Sequence, residues 1–349
     1  MNTTKMTLLA IDLAKEVFQL HGVDERGKAV LKKKLRRPAL LAFVANLPKC
    51  TIAMEACGGS HYWAREFQKL DHEAKLISPQ FVKPFVKSNK TDANDAEAIA
   101  EAAMRPSMRF VPIKQVANQD IQNIHRVRER LIRNRTALSN EIRGLLHEYG
   151  IVIPKTILKL KQFLLPILDN LEEQRLSSMS IKLFRELMEE LGNIEQEVKK
   201  YDDYLEVVFK SNEAAQRIEK IEGVGIVTAT AIVAAVSDAN SFKNGREFSA
   251  WLGLVPKQNS SGRKTVLQGI SKRGDGYLRK MLINGARAAL RWAPLKSDPR
   301  SKWATEKIKT RGFNKASVAL ANRNARVIWA LLAKGIEYQK GPMLAMISN

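Results

Sequence analysis

The chain has 349 residues and a formal net charge of +22, with 58 Lys and Arg against 36 Asp and Glu. This length allows two or three domains with hydrophobic cores, and the positive charge favours a polyanionic partner. Two cysteines are too few for a disulfide scaffold or a zinc site, and we see no signal peptide or transmembrane-length apolar run. We therefore expect a cytoplasmic protein with no membrane partner.

The first hundred residues alternate between strand and helix patterns. Strands are predicted at Met6–Asp12, Val17–Val23, Ala29–Leu35, Thr51–Glu55 and Ala74–Ile77, and helices at Pro38–Leu47 and Ser60–Leu70. A hairpin followed by strand–helix–strand units gives a mixed sheet covered by helices. Active sites in such sheets gather at strand ends.

Four acidic residues lie at the ends of these predicted strands and at the start of a further helix. Asp12 and Glu55 each close an apolar strand, whereas Asp92 and Asp95 lie three apart at the start of an Ala-rich helix, on one face. A carboxylate in a buried strand is costly unless it is neutralised, and Mg²⁺ or Mn²⁺ would do so. Metal sites of this kind cut or transfer phosphodiesters.

Each acid also has a purely structural interpretation. Asp12 could close a turn, Glu55 could pair with a surface arginine, and Asp92 could be the N-cap of its helix. Taken singly, each acid favours that interpretation, since short motifs are often fortuitous. Taken together and in this order, the four acids favour a catalytic metal site.

After about Ile113 we predict helices and no further strands. Asn118–Tyr149 has the spacing of one long basic helix, and Ile153–Leu171 that of a helical connector broken by Pro154 and Pro166. Ser180–Phe209 carries an apolar stripe with a period near 3.5, which suits a short coiled coil. Packing within the chain and contact with a second copy explain that stripe equally well. Further helices are predicted at Ser241–Trp251 and Gly276–Trp292.

The C-terminal third is strongly basic and contains two candidate contact segments. Lys257 to Lys334 carries 19 Lys and Arg against 3 Asp and Glu. Gly223 and Gly225, between apolar helices, resemble a helix-hairpin-helix turn whose backbone N–H groups can face a phosphate.

The second segment is a polar serine loop. Ser260-Ser261-Gly262 is accompanied by Lys257, Arg263, Lys264, Lys272 and Arg273, cations that would bind the phosphate backbone. Because no His or acid lies beside Ser261, the residues alone favour a flexible loop that contacts phosphate over a nucleophile.

Five segments together resemble the DEDD transposases of bacterial insertion sequences, the one-ten family, and its eleven-eleven branch in particular. They are Ala10-Ile11-Asp12, Met54-Glu55-Ala56, Lys90-Thr91-Asp92-Ala93-Asn94-Asp95-Ala96, Gly223-Val224-Gly225, and Gly253-Leu254-Val255-Pro256 through Ser261-Gly262. The resemblance covers nearly the whole chain. Its most specific parts are the Lys-Thr-Asp motif and the Gly-Leu to Ser-Gly loop.

The resemblance implies an α/β RuvC-like domain of RNase H fold at residues 1–150, in which Asp12, Glu55, Asp92 and Asp95 bind divalent metal. It also implies a helical coiled-coil segment at 151–215 and a mainly α-helical transposase domain at 216–349. The serine that links covalently to DNA corresponds to Ser261. The expected partners are double-stranded DNA, a homo-dimer or tetramer partner and, in some members, a structured guide RNA; the expected location is the bacterial nucleoid.

Two other functions remain open from the residues. The first is a RuvC-like Holliday-junction endonuclease, which would hydrolyse DNA with metal-activated water and need no serine. The second is a nucleic-acid-binding scaffold in which the four acids are structural.

Overall fold

A computed structural model describes residues 5–87, 91–170, 175–262 and 264–339. Contacts within the chain group it into two compact units, residues 1–115 and 116–349. The three-part division into residues 1–150, 151–215 and 216–349 stays a prediction. In the described ranges, no helix is both long and apolar enough to span a membrane.

The first unit is a mixed α/β layer structure. Its described elements are β1 (Leu8–Asp12), β2 (Val17–Val23), β3 (Ala29–Arg36), α1 (Arg37–Ala45), β4 (Thr51–Glu55), α2 (Ser60–Lys69), β5 (Glu73–Ile77), α3 (Pro79–Val82), α4 (Asp92–Ala103) and β6 (Phe110–Val111). All the strands predicted for this part, the two helices that follow β3 and β4, and the Ala-rich helix at Asp92 are therefore confirmed, with ends that differ by at most two residues where both were predicted.

One six-stranded sheet organises this unit, in the order β3-β2-β1-β4-β5-β6. β1 pairs antiparallel with β2 and parallel with β4, and β4 pairs parallel with β5. The carboxyl ends of β1, β4 and β5 therefore lie at one edge of the sheet.

The central strand β1 is buried on both faces because its side chains alternate between two cores. Leu9 and Ile11 pack in the core that includes Trp63 and Phe67 of α2. Leu8 and Ala10 pack in the opposite core, to which α4 contributes four buried side chains, Ala98, Ile99, Ala100 and Ala102. Helices thus cover both faces, and α4 lies against the strand that carries Asp12.

The second unit is mainly helical. Its described elements are α5 (Val116–His147), α6 (Ile157–Asp169), α7 (Ser178–Lys210), α8 (Glu213–Glu219), α9 (Ile226–Ala235), α10 (Gly245–Trp251), β7 (Pro256–Ser261), β8 (Lys264–Ile270), α11 (Gly276–Trp292), α12 (Pro299–Arg311) and α13 (Phe313–Lys334). Helix α6 starts after Pro154 and continues through Pro166, so the predicted break at Pro166 is wrong.

The apolar stripe of α7 packs within the same chain. Phe184 and Leu191 are fully buried in a core with Ile142 of α5 and Leu160 and Leu164 of α6. Burial of this stripe accounts for its spacing through contacts inside one chain. An oligomer contact through α7 stays a prediction.

The prediction that no strands follow Ile113 is wrong for the described part of the second unit. β7 and β8 form an antiparallel hairpin in which Ser261 is opposite Lys264 and Pro256 is opposite Ile270. Every residue of β7 is exposed. The hairpin therefore lacks the alternation of apolar and polar residues by which strands are recognised.

Candidate active site

Asp12 and Glu55 lie side by side at the edge of the sheet. Ile11 of β1 is in register with Met54 of β4, and these two acids are the next residue on each of the two parallel strands. Both side chains are half-buried. The prediction that these carboxylates share a strand-end position is confirmed by the register.

The pKa of Cys57 reflects the negative charge of both acids. Burial raises the pKa of the Cys57 thiol, and the carboxylates of Glu55 and Asp12 raise it further. Both effects disfavour the thiolate. The negative charges of the two acids are therefore both felt at Cys57, just beyond the end of β4, and a cation would be stabilised there.

Asp92 and Asp95 occupy the first turn of α4, and Thr91 is the N-cap of that helix. The Thr91 Oγ1 accepts a hydrogen bond from the Asn94 N–H at 3.3 Å. The structural interpretation of Asp92 as the N-cap is therefore wrong. Asp92 is exposed and Asp95 is half-buried, and two carboxylates in a first helical turn are favoured by the helix dipole.

The donor chemistry of the acids suits a hard divalent cation, because Mg²⁺ and Mn²⁺ prefer carboxylate oxygens. The structure brings Asp12 and Glu55 together. Among the residues it describes, however, it gathers no group of three or more His, Cys, Asp or Glu side chains in position to bind one metal ion. Lys90, the first residue of the Lys-Thr-Asp motif, lies outside the described residues.

Ser261 is the last residue of β7, at the tip of the exposed β7–β8 hairpin. Gly262 follows it with φ +57°, a left-handed conformation that suits glycine. The Ser260 hydroxyl accepts a hydrogen bond from Gln258 Nε2 at 2.7 Å. Since successive strand residues point to opposite faces, Ser261 projects away from that contact.

The base of the hairpin is held by close backbone contacts. A Cβ on Gly253 (φ +72°) would lie 2.1 Å from the Arg273 carbonyl oxygen, and one on Gly274 (φ +82°) would lie 1.9 Å from the Trp251 carbonyl oxygen. Arg279 adds hydrogen bonds from one guanidinium nitrogen to the carbonyls of Leu252 and Arg273. The two chain segments at this base therefore cannot separate or slide easily.

The predicted phosphate-binding cations lie along this hairpin and its base. Lys257, Lys272 and Arg273 are exposed. Lys264 is opposite Ser261 in the register, its side chain is not described, and Arg263 lies outside the described residues. The cations that are described thus lie on β7 and at the base of the exposed hairpin, and the candidate nucleophile lies at its tip.

The predicted glycine turn joins α8 to α9, but its two glycines differ. Gly223, with φ +87°, packs against the backbone of α11, where an added Cβ would lie 2.6 Å from the Gly285 carbonyl oxygen. Gly225 is exposed and immediately precedes α9. Gly223 therefore has a packing role, whereas Gly225 is exposed; contact of these glycines with a phosphate stays a prediction. Sequence reasoning missed Gly285, because nothing in its helical pattern marks a contact 62 residues earlier.

Comparison with known proteins places both parts of the chain in one group. A family model for DEDD transposases of the IS110 type, described as "Transposase", matches residues 9–151. A second model, described as "Transposase IS116/IS110/IS902 family", matches residues 215–301. These ranges contain all four acids and Ser261.

Curated relatives agree over nearly the full length. The chain is 47% identical over 334 residues to "Transposase for insertion sequence element IS1111A" of Coxiella burnetii, covering 96% of this chain and 92% of that one. It is 46% identical over 336 residues to "Probable family 20 transposase" of Pseudomonas aeruginosa, covering 96% and 99%. A Yersinia enterocolitica transposase for element IS1328 is 38% identical over 335 residues. The chain therefore belongs to the IS110 family of insertion-sequence transposases and is a DNA transposase of that family.

Proposed function

We propose that this transposase excises and inserts its element as a site-specific recombinase that uses a serine nucleophile together with a divalent-metal site. Asp12, Glu55, Asp92 and Asp95 form the metal site, and Ser261 attacks DNA. The observation that carries the proposal is the exposed Ser261 at the tip of a polar hairpin with a firmly held base. Both sets of residues serve the same strand-transfer reaction.

The acidic set belongs to a RuvC-like domain of RNase H fold in this proposal. The supporting observations are a central parallel pair of strands that end in Asp12 and Glu55, and a helix with Asp92 and Asp95 in its first turn against the same sheet. Mg²⁺ or Mn²⁺, when bound, would polarise the scissile phosphate and ease deprotonation of the attacking hydroxyl. The carboxylates would hold that cation.

The serine step exchanges one phosphoester for another. The Ser261 Oγ bonds to phosphorus, the bond from phosphorus to one DNA oxygen breaks, and that oxygen leaves as a DNA hydroxyl after it gains a proton. The phosphoserine keeps an ester bond, which the DNA hydroxyl of the joining strand can attack in the reverse sense. Rejoining therefore needs no external energy source.

The basic residues position the DNA. Lys257, Arg263, Lys264, Lys272 and Arg273 neutralise phosphates near Ser261, and Gly223-Val224-Gly225 forms a helix-hairpin-helix turn from which Gly225 approaches the backbone. Contacts of this kind release counterions, so DNA affinity falls steeply as salt increases. Sequence specificity comes from other contacts.

Further partners belong to the same proposal. The recombinase works on double-stranded DNA of the element ends and the target, as a dimer or tetramer, and a structured RNA from the element guides it. The basic tract from Lys257 to Lys334, with 19 Lys and Arg, supports a second polyanionic partner.

The testing experiment incubates the protein with element-end DNA and Mg²⁺, with and without the element's non-coding RNA, and resolves products on a denaturing gel. We expect a protein–DNA adduct with wild type and with the matched control Ser260→Ala, and none with Ser261→Ala. An adduct that appears only with RNA supports guidance. Cleavage without an adduct in any of these proteins would instead favour the Holliday-junction endonuclease.

A further inference from the structure

A groove of about 620 Å³ opens at the base of the serine hairpin. Leu254, Pro256 and Ile270 line it from the hairpin side, and α12 and α13 line the other side. Asn322 Nδ2 of α13 donates a hydrogen bond to the Leu254 carbonyl at 3.2 Å. This volume lies within the range of small-molecule sites, so the groove can accept a ligand of nucleotide size.

A guanidinium and an indole ring are stacked on the helical side of this groove. The Arg323 guanidinium carbon lies 4.6 Å from the centroid of the Trp303 ring, and both side chains are half-buried and line the groove. The indole therefore supports the guanidinium from one side. A guanidinium plane held in this way is a surface on which nucleic-acid bases stack.

The groove is also lined by three cationic side chains. Lys315, Arg323 and Arg326 line it, and no Asp or Glu is among its described lining residues. Burial lowers the pKa of Arg323, and the positive charges of Arg300 and Arg326 lower it further. Like charges gathered in a partly buried site repel one another, and a bound anion would relieve that repulsion.

We propose that this groove, hereafter the Arg323 groove, binds one unpaired nucleotide of the DNA strand on which Ser261 acts. Its base stacks on Arg323 and packs against the apolar hairpin residues Pro256 and Ile270, and its phosphate lies near Arg326 and Lys315. The identity of the strand rests on the proposed function, whereas binding of an unpaired nucleotide does not.

The hairpin fixes the spacing between this groove and the nucleophile. Pro256 lines the groove and Ser261 ends the same strand five residues later, which corresponds to roughly 17 Å at the strand rise of about 3.3 Å per residue. That length equals about five nucleotides at a stacked spacing of 3.4 Å. The unpaired nucleotide therefore lies a few nucleotides from the phosphate that Ser261 attacks.

The test measures binding of the full-length protein to a duplex with an unpaired tail that contains 2-aminopurine, and to the matched blunt duplex. Arg323→Ala removes the stacking plane, and Ala319→Phe fills the groove without changing charge. Lys302→Ala, an exposed residue of α12 outside the groove, is the control for loss of one charge. Thermal melting of each variant shows that it is folded.

We expect Arg323→Ala and Ala319→Phe to weaken binding of the tailed duplex by about 5- to 150-fold, the range that loss of one stacked base gives. Quenching of 2-aminopurine fluorescence on binding should disappear in both variants. Their affinity for the blunt duplex should fall no more than that of Lys302→Ala does. Equal losses for Arg323→Ala and Lys302→Ala on the tailed duplex would overturn the proposal. So would a preference for a ribonucleotide tail.

Ser261→Ala separates this inference from the proposed function. Tail binding and quenching should persist in that variant, because the groove needs no covalent step. If Ser261 proves not to be the nucleophile while Arg323→Ala still abolishes tail-specific binding, the groove stands and the serine mechanism falls. If instead Ser261 proves to be the nucleophile and Arg323→Ala leaves tail-specific binding unchanged, the groove proposal fails and the serine mechanism stands.

Discussion

Replacing Gly285 with alanine tests the backbone contact that holds the glycine turn on α11. A Cβ at Gly285 would lie 1.8 Å from the Gly223 carbonyl oxygen, whereas real Cβ atoms stay at 3.0 Å or more, so the turn must move by over an ångström. Alanine improves helix propensity by about 1 kcal/mol, but overpacking of a close contact costs about 1–3 kcal/mol and sometimes more. Because the contact is with backbone atoms, we take the upper end of about 3 kcal/mol and expect a net loss of about 2 kcal/mol in the free energy of unfolding.

Gly144→Ala is the matched control, because Gly144 is an exposed residue inside α5 with nothing within 4 Å of an added Cβ. It should stabilise the protein by about 0.5–1 kcal/mol. Urea denaturation followed by circular dichroism at 222 nm measures the free energy of unfolding of both variants. In thermal melting, a loss of about 2 kcal/mol at about 2–4 °C per kcal/mol should lower the melting temperature of Gly285→Ala by roughly 4–8 °C. A Gly285→Ala protein as stable as Gly144→Ala would refute the close-contact argument.

Three further predictions concern the acid Asp12, the helix N-cap Thr91 and the buried His125. Asp12→Asn should reduce adduct formation at least about a hundredfold, because a metal-binding charge is lost, while filter-binding affinity for DNA stays within about twofold; unchanged adduct yield would contradict the metal site. Thr91→Ala should destabilise the first unit by about 1 kcal/mol in urea denaturation through loss of its N-cap, and no change would show that the cap is dispensable. Burial holds the pKa of His125 at about 4, below the unfolded value of about 6.5, so the unfolded chain binds a proton that the folded chain does not and stability falls from pH 7 to pH 5. In urea titrations, His125→Gln should lose about 2 kcal/mol less than wild type over that interval; an equal loss would mean that His125 is not held neutral.

Elements with a regular apolar pattern could be predicted from the sequence. The strands that end at Asp12 and Glu55 are apolar throughout, and the side chains of the β1 strand fill a core on each face. Their parallel pairing places the two acids together, as strand-end positions in a sheet predict. Long helices such as α7 were predicted because their apolar residues recur with helical spacing.

Features that depend on contacts between distant residues could not be predicted. Strand β7 is polar over most of its length and exposed throughout, so neither helical nor strand periodicity marks the β7–β8 hairpin. Gly223 also packs against Gly285, 62 residues away, and its own segment of sequence does not show that contact. Arg323 and Trp303 are 20 residues apart on different helices, and only the packing of α12 on α13 brings them together.

The most direct test of attack by Ser261 is to locate the DNA attachment site by mass spectrometry. Adducts formed with Mg²⁺ are digested with nuclease and trypsin, which cleaves after Lys257 and Arg263 and releases the peptide Gln258-Asn259-Ser260-Ser261-Gly262-Arg263. Fragmentation of this peptide distinguishes its two serines. We expect a nucleotide phosphate on Ser261, absent without metal and in Asp12→Asn. A nucleotide phosphate on Ser260 or on any other residue would contradict it.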